Sequence, residues 1–229
     1  MSLLKDRFYS RTKVSLPVTY IETGTFKGKN LEVVLHSDRY SNVHSIDLSH
    51  EWYSYNKVKF RNHKGLDLHL GDSAEVLTQL IPKIAEPVHF FLDAHYSGPG
   101  TAFGKKETPL LEELEAISRF SLSVGTVIII DDCRMLGKHS LTKANSDFEA
   151  FESDWSDITH RVISDAVGSD YVQLENNLNY WSYGKDDQLI FIRVQGFRRA
   201  LLIGENRLIM IVSVGIKATR KMKRLIFKN

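Results

Sequence analysis

Five apolar runs in this chain each stop on an acid. They are Val18-Thr19-Tyr20-Ile21-Glu22, Val43-His44-Ser45-Ile46-Asp47, Leu66-Asp67-Leu68-His69-Leu70-Gly71-Asp72, Val88-His89-Phe90-Phe91-Leu92-Asp93 and Val127-Ile128-Ile129-Ile130-Asp131-Asp132. Short β-branched and aromatic runs of this kind predict buried strands. Helical patterns or long connections separate most of them, which predicts an α/β fold with a largely parallel sheet. In such a sheet the strand ends meet along one edge, and ligands bind in the crevice outside them. The pattern therefore predicts a row of carboxylates lining a single cleft.

At 229 residues the chain is long enough for one α/β domain with a sizeable core. Its one cysteine, Cys133, rules out an internal disulfide and fits a reducing compartment. Met1-Ser2-Leu3-Leu4-Lys5-Asp6-Arg7 contains no apolar signal core, which argues against secretion and for a cytoplasmic location. The net charge of +2 hides an asymmetry. Residues 196–229 carry nine Lys or Arg and one acid, Glu205, so +8, and the remaining residues are −6. The expected division is a domain over 1–195 and a basic amphipathic extension over 196–229. The longest apolar stretch of that extension, Leu208 to Ile216, is nine residues. A membrane-spanning helix needs about 20.

Between the runs the pattern is coarser. Residues 1–16 read as a polar lead-in. Ser73 is placed to cap a helix over Ala74–Ile84. Thr108-Pro109 is a good start for a helix from Pro109 to about Phe120, with Leu110, Leu114 and Ile117 on one face. Asp147 to Trp155 reads as a weaker helix, and Ile158 to Ser164 and Leu189 to Val194 as two further strands. The stretch from His95 to Gly104 is rich in small residues and reads as a loop able to close over a ligand.

The loop Glu22-Thr23-Gly24-Thr25-Phe26-Lys27-Gly28 joins the first strand to a helix. Gly24 allows a ligand close to the backbone, and Gly28 allows tight packing. Asp47 can accept hydrogen bonds from two ribose hydroxyls, and Asp72-Ser73 can meet an adenine amino group. An ordinary βα turn and solvated strand-end acids are the plainer alternatives. Asp93 and Asp131-Asp132 end neighbouring strands, and three such carboxylates suit one hard divalent cation. His95, two residues on, is a base, a ligand or a bystander, and His139 is a weaker candidate for the same work. Cys133 reads as a packed residue rather than a nucleophile.

These residues resemble a class I S-adenosylmethionine-dependent methyltransferase over about residues 15–195. Glu22-x-Gly24-x-x-x-Gly28 is similar to the family's cofactor loop, with Phe26 where glycine is commoner. Asp47 corresponds to its ribose acid and Asp72 to its adenine-side acid. The resemblance implies a Rossmann-like seven-stranded sheet, mostly parallel with helices on both faces and one antiparallel strand. It implies cofactor contacts from Glu22, Gly24, Thr25, Gly28, Asp47, Asp72 and Ser73. The Asp93…Asp131-Asp132 pattern resembles the metal-dependent O-methyltransferases, the catechol and macrocin-type sugar enzymes. By that resemblance Asp93, Asp131 and Asp132 hold a divalent metal, Mg²⁺ above others. His95 stands where the sugar enzymes have an acidic base, a departure from their pattern, and with Asp93 it makes the catalytic candidates. The implied reaction is methylation of a hydroxyl on a sugar, glycoside or other polyol, with a catechol-like phenol next.

A nucleic-acid methyltransferase is disfavoured by the acidic body and the lack of an Asn/Asp-Pro-Pro-Tyr/Phe tetrapeptide. A nicotinamide-dependent oxidoreductase is disfavoured by the incomplete glycine fingerprint. A cofactor-binding module without turnover is disfavoured by the intact acids. The tail carries Lys217, Arg220, Lys221, Lys223, Arg224 and Lys228 among apolar residues. Peripheral contact with an anionic membrane, on the inner face, is one reading of it. Nucleic-acid contact and packing on the body are the others.

Overall fold

Buried strands need both faces covered, and this chain alternates strands with helices that do so. The computed structural model describes residues 4, 8, 12, 18–142, 150–174, 187–205 and 207. The strands and helices run β1 (Thr19–Thr23), α1 (Lys29–His36), β2 (Asn42–Asp47), α2 (His50–Lys59), β3 (Leu66–Leu70), α3 (Ser73–Leu80), β4 (Val88–Leu92), α4 (Leu110–Ser118), β5 (Val127–Ile130), β6 (His139–Thr142), β7 (Phe151–Asp154), α5 (His160–Val167), β8 (Tyr171–Leu174) and β9 (Leu189–Arg193). Seven strands form one sheet in the order β3-β2-β1-β4-β5-β9-β8. β1 to β5 are parallel, and β9 lies antiparallel between β5 and β8. An all-parallel dinucleotide-binding sheet has no such strand. β6 and β7 pair with each other as a separate hairpin.

The sheet divides the core in two. On one face Ile21, Phe90, Ile128 and Ile130 pack with Leu77, Leu114, Ile117 and Ile163. On the other Tyr20, Phe91, Ile129 and Ile190 pack with Leu31, Val34 and Phe60. β1, β4, β5 and β9 are buried along their whole length, with Glu22, His89 and Arg193 buried among their apolar residues. β3 at the sheet edge is only partly buried, short of the buried strand its run predicts.

Several local expectations give way. The lead-in read as polar contributes Leu4 and Phe8, both buried in the second core. Asp72, not Ser73, caps α3, its Oδ1 accepting from the amides of Ala74 and Glu75. Ile158–Ser164 is not a strand. Thr159 caps α5 by accepting from the amide of Val162, and Ile163 and Val167, four apart, are its buried face. Phe151–Asp154, inside the stretch read as a helix, is β7. Ser153 is buried there while Glu152 and Asp154 are exposed, which is a strand's period of two. Residues 147–149 of that stretch lie outside the described residues. The first ten residues of the basic tail, 196–205, are helical, and Leu202 is buried in the second core.

Candidate active site

The strand ends converge as the sequence predicts. One cavity of about 620 Å³ is lined by Gly24, Asp47, Asp72, Ser73, Asp93, His95 and Asp132 together. Parallel pairing of β3, β2, β1, β4 and β5 brings these positions to one edge.

At one end the turn after β1 bends over the strands. A Cβ on Gly24 would stand 2.4 Å from the carbonyl oxygen of Asp93, and its φ is +80°, so only glycine fits. Gly28 does not line the cavity. It meets α2, where a Cβ would stand 2.2 Å from Asn56 Oδ1. Glu22 and Thr25 also lie beneath the loop rather than on the cavity. Glu22 is buried and accepts from Ser45 Oγ at 2.6 Å and Asn30 Nδ2 at 2.7 Å, while the Thr25 hydroxyl lies 2.5 Å from that of Ser45. Burial raises the Glu22 carboxyl to about 7 against those hydrogen bonds. The loop is therefore shaped from below by Glu22, Thr25 and Gly28, and presents Gly24 and Phe26 to the cavity.

Asp47 ends β2 with both oxygens fixed. Oδ2 accepts from the amide of Phe26 and Oδ1 from that of Ser49, each at 2.7 Å. Burial raises its pKa and the two amides oppose the shift. Phe26 has a left-handed φ of 45°, and its ring stacks edge-on against Trp52 at 4.7 Å. Phe26, Trp52 and Leu48 make an apolar wall beside Asp47 that the sequence pattern did not disclose. Its only signal is the aromatic residue at a position where glycine is commoner.

The other end holds the catalytic candidates. His95 stands between two carboxylates, its Nδ1 3.5 Å from Asp93 Oδ1 and its Nε2 3.1 Å from Asp132 Oδ2. Nε2 is also 2.9 Å from Ser97 Oγ, and the ring packs edge-on against Trp155. Burial lowers the His95 pKa and outweighs the opposing pull of Asp132, so the imidazole is neutral near pH 7. Asp93, His95 and Asp132 are the one group among the described residues whose ligand atoms, one from each, lie within 4.8 Å of one another. Asp131 does not join them. Its Oδ1 accepts from the amide of Asp132, and it lies off the cavity.

Two carboxylates and an imidazole are a fitting donor set for a divalent ion, with the nitrogen favouring Mn²⁺ or Fe²⁺ over Mg²⁺. Arg134 competes for the site, because its guanidinium pairs with both Asp132 and Asp187. Neither Arg134 nor Glu107 was marked by the sequence pattern. Glu107 accepts from the Trp155 indole at 3.2 Å and from the amide of Asp154, tying the glycine-rich loop to the hairpin. His139 is exposed on β6, paired with Glu152, and away from the cavity. The Cys133 thiol donates to Ile130 O, and burial pushes it to about 12, so it is no nucleophile.

The loop 95–108 lies over the cavity. The Trp52 indole donates to Gly100 O at 2.7 Å, and Tyr96 stacks edge-on with Phe103 and Phe151. Phe151 lines the cavity from β7.

This sheet order, with its antiparallel strand and acid-lined edge, is the fold of the class I S-adenosylmethionine-dependent methyltransferases. The chain is similar to an O-methyltransferase of Bacillus cereus solved with S-adenosylhomocysteine, at a TM-score of 0.50 and 15% identity, over 82% of this chain and 78% of that one. It is also similar to an S-adenosylmethionine-dependent methyltransferase of Clostridium acetobutylicum (TM-score 0.48, 13% identity, 83% and 89% covered). A third is an amino pentose methyltransferase of Micromonospora echinaspora (TM-score 0.47, 13% identity, 82% and 88% covered). No protein-family model and no curated protein sequence matches the chain.

Proposed function

We propose that the chain is an S-adenosylmethionine-dependent O-methyltransferase acting on a hydroxyl of a sugar, glycoside or other polyol. The observation that carries this reading is a single cavity with Gly24 and Asp47 at one end and Asp93, His95 and Asp132 at the other. S-adenosylmethionine supplies a methyl group activated by its sulfonium. Gly24, Asp47, Asp72 and Ser73 would hold the adenosine, Asp47 through its ribose hydroxyls. The acceptor oxygen bonds to the methyl carbon as the sulfur–carbon bond breaks, its electron pair returning to sulfur. The hydroxyl proton passes to His95, held between its two carboxylates.

The finer reading adds a metal. Asp93, His95 and Asp132 would hold a divalent ion, which would supply Lewis-acid polarisation of the hydroxyl. The Arg134 pairing of Asp132 supports a metal-free variant in which His95 acts alone. The basic tail adds a third element, peripheral contact with an anionic membrane.

The test is direct. Purified protein is stripped of bound ligand and titrated with S-adenosylhomocysteine by calorimetry. Turnover is then followed with excess chelator and after Mn²⁺ or Mg²⁺ is restored. Absence of binding removes the methyltransferase reading. Full turnover in chelator removes the metal and leaves His95 as the base.

A further inference from the structure

The cavity wall restricts what can enter it through its charge. Eight carboxylates line it against four basic side chains, Lys105, Lys106, Arg119 and Arg134. Each of the four already has a carboxylate partner. Lys105 meets Glu75 and Arg119 meets Glu115, each at 2.6 Å, and Lys106 meets Glu112. Such exposed pairs are weak, but they leave no positive charge in excess.

The acceptor end is the more restrictive. Asp93, Asp132 and Glu107 face it, and its one guanidinium, Arg134, is also claimed by Asp187. A divalent ion on Asp93, His95 and Asp132 brings that end only to neutrality. Two helix N-termini on the cavity are already flanked by acids. The N-terminus of α3 is capped by Asp72, and the first turn of α4 carries Glu112 and Glu113. The cavity wall also carries the Tyr96 and Phe151 rings, 6.0 Å apart, Met135, and the uncharged hydroxyls of Ser97 and Thr101.

We infer that the acceptor carries no negative charge, and that a basic amine on it speeds its capture. This rests on the methyl-transfer reading and narrows it. Phosphorylated sugars, nucleotide-linked sugars, sugar acids and nucleic acid are disfavoured, and uncharged or amine-bearing hydroxyl compounds are preferred. Eight carboxylates against four basic groups leave the cavity as a whole negative even after the ion's two charges and the cofactor's sulfonium are counted. A field of this sign lowers the local concentration of anions and raises that of cations, and it weakens as salt shortens its reach.

The experiment uses the full chain with S-adenosylmethionine and added Mn²⁺. It is presented with a library of sugars, glycosides, polyols and phenols, half of them bearing a carboxylate or phosphate, and methylated products are read by mass spectrometry. For each compound methylated, kcat/KM is compared across its amine, neutral and carboxylate analogues at two salt concentrations. The expected order is amine, neutral, carboxylate. The acid should trail by about tenfold at low salt, with the gap closing at high salt. Anionic acceptors methylated as fast as neutral ones, or a gap indifferent to salt, overturn this inference and leave the methyltransferase reading standing. If no compound is methylated by protein that binds the cofactor, the methyl-transfer reading fails and this inference falls with it.

Discussion

Three non-glycine residues among those described have left-handed backbone, and two of them, Phe26 and Asp132, line the cavity. The third, Asp38, follows α1. Strain of this kind costs about 1–3 kcal/mol and persists where its surroundings impose it. At Phe26 the amide donates to Asp47 while the ring stands on Trp52. Phe26→Ala keeps the strain and loses the ring, whereas Phe26→Gly loses both. Both variants should weaken S-adenosylhomocysteine binding alike by calorimetry. The glycine variant should be the more stable by about 1 kcal/mol in urea, the reverse of the usual alanine advantage. An alanine variant as stable as the glycine one would show that φ there carries no strain. Glu113 supplies a pH test. It is buried on α4, and burial lifts its carboxyl to about 7 against the hydroxyls of Ser73 and Thr23. A carboxyl raised from 4.5 to about 7 makes the native state bind more protons than the unfolded one over that interval. Stability from this group is therefore lost as pH rises through it. Glu113→Gln should match the wild type near pH 4 and exceed it by about 3 kcal/mol above pH 8. Unfolding curves offset equally at every pH would sink this account.

At the scale of elements, the loop 95–108 depends on neighbours that come from far along the chain. Trp52 on α2 holds Gly100, and Glu107 holds Trp155. Trp52→Phe keeps an aromatic ring on Phe26 and removes the bond to Gly100. At about 1 kcal/mol for that bond, S-adenosylhomocysteine should leave about fivefold faster in stopped flow. An unchanged off-rate would show that the tether does not hold the loop over the cofactor. These tethers also mark where sequence reading stops. The five strands, their shared edge and the carboxylates on it were legible because short β-branched and aromatic runs, each ending on an acid and separated by helical patterns, admit few other structures. The hairpin and α5 were not. Ile158–Ser164 is rich in β-branched residues, and only the Thr159 cap and the Ile163–Val167 spacing, set by packing, make it helical. β7 is four residues long and gains its period only from pairing with β6. Phe151 and Trp155 were therefore invisible as parts of the site, and with them the reason Glu107 matters. Asp131 was misplaced for a similar reason. β5 ends at Ile130, and the left-handed backbone of Asp132 brings that residue to the cavity while Asp131 stays off it.

Over the whole molecule, charge separates the body from the tail. The body over 1–195 is −6 and the tail over 196–229 is +8. No helix among the described residues is long and apolar enough to cross a membrane. The tail does not begin as a free arm. Residues 196–205 are helical, Leu202 is 5% exposed in the second core, and Arg199 reaches Tyr171 O at 3.4 Å. Two truncations then separate two roles. Ending the chain at Val194 removes Leu202 from a packed site, and deletion of such a side chain costs about 2–5 kcal/mol, so this form should unfold at lower urea. Ending it at Arg207 keeps that helix and removes Lys217, Arg220, Lys221, Lys223, Arg224 and Lys228. This longer form should match the full chain in stability and in S-adenosylhomocysteine affinity. It should lose sedimentation with vesicles containing phosphatidylserine, because each basic residue near such a surface contributes about 1 kcal/mol. Full-length protein should leave the vesicles as salt rises, since screening shortens the attraction to about 8 Å at physiological ionic strength. Full-length protein that ignores anionic vesicles at low salt, or a form ending at Arg207 that still binds them, would remove the membrane role from these six charges.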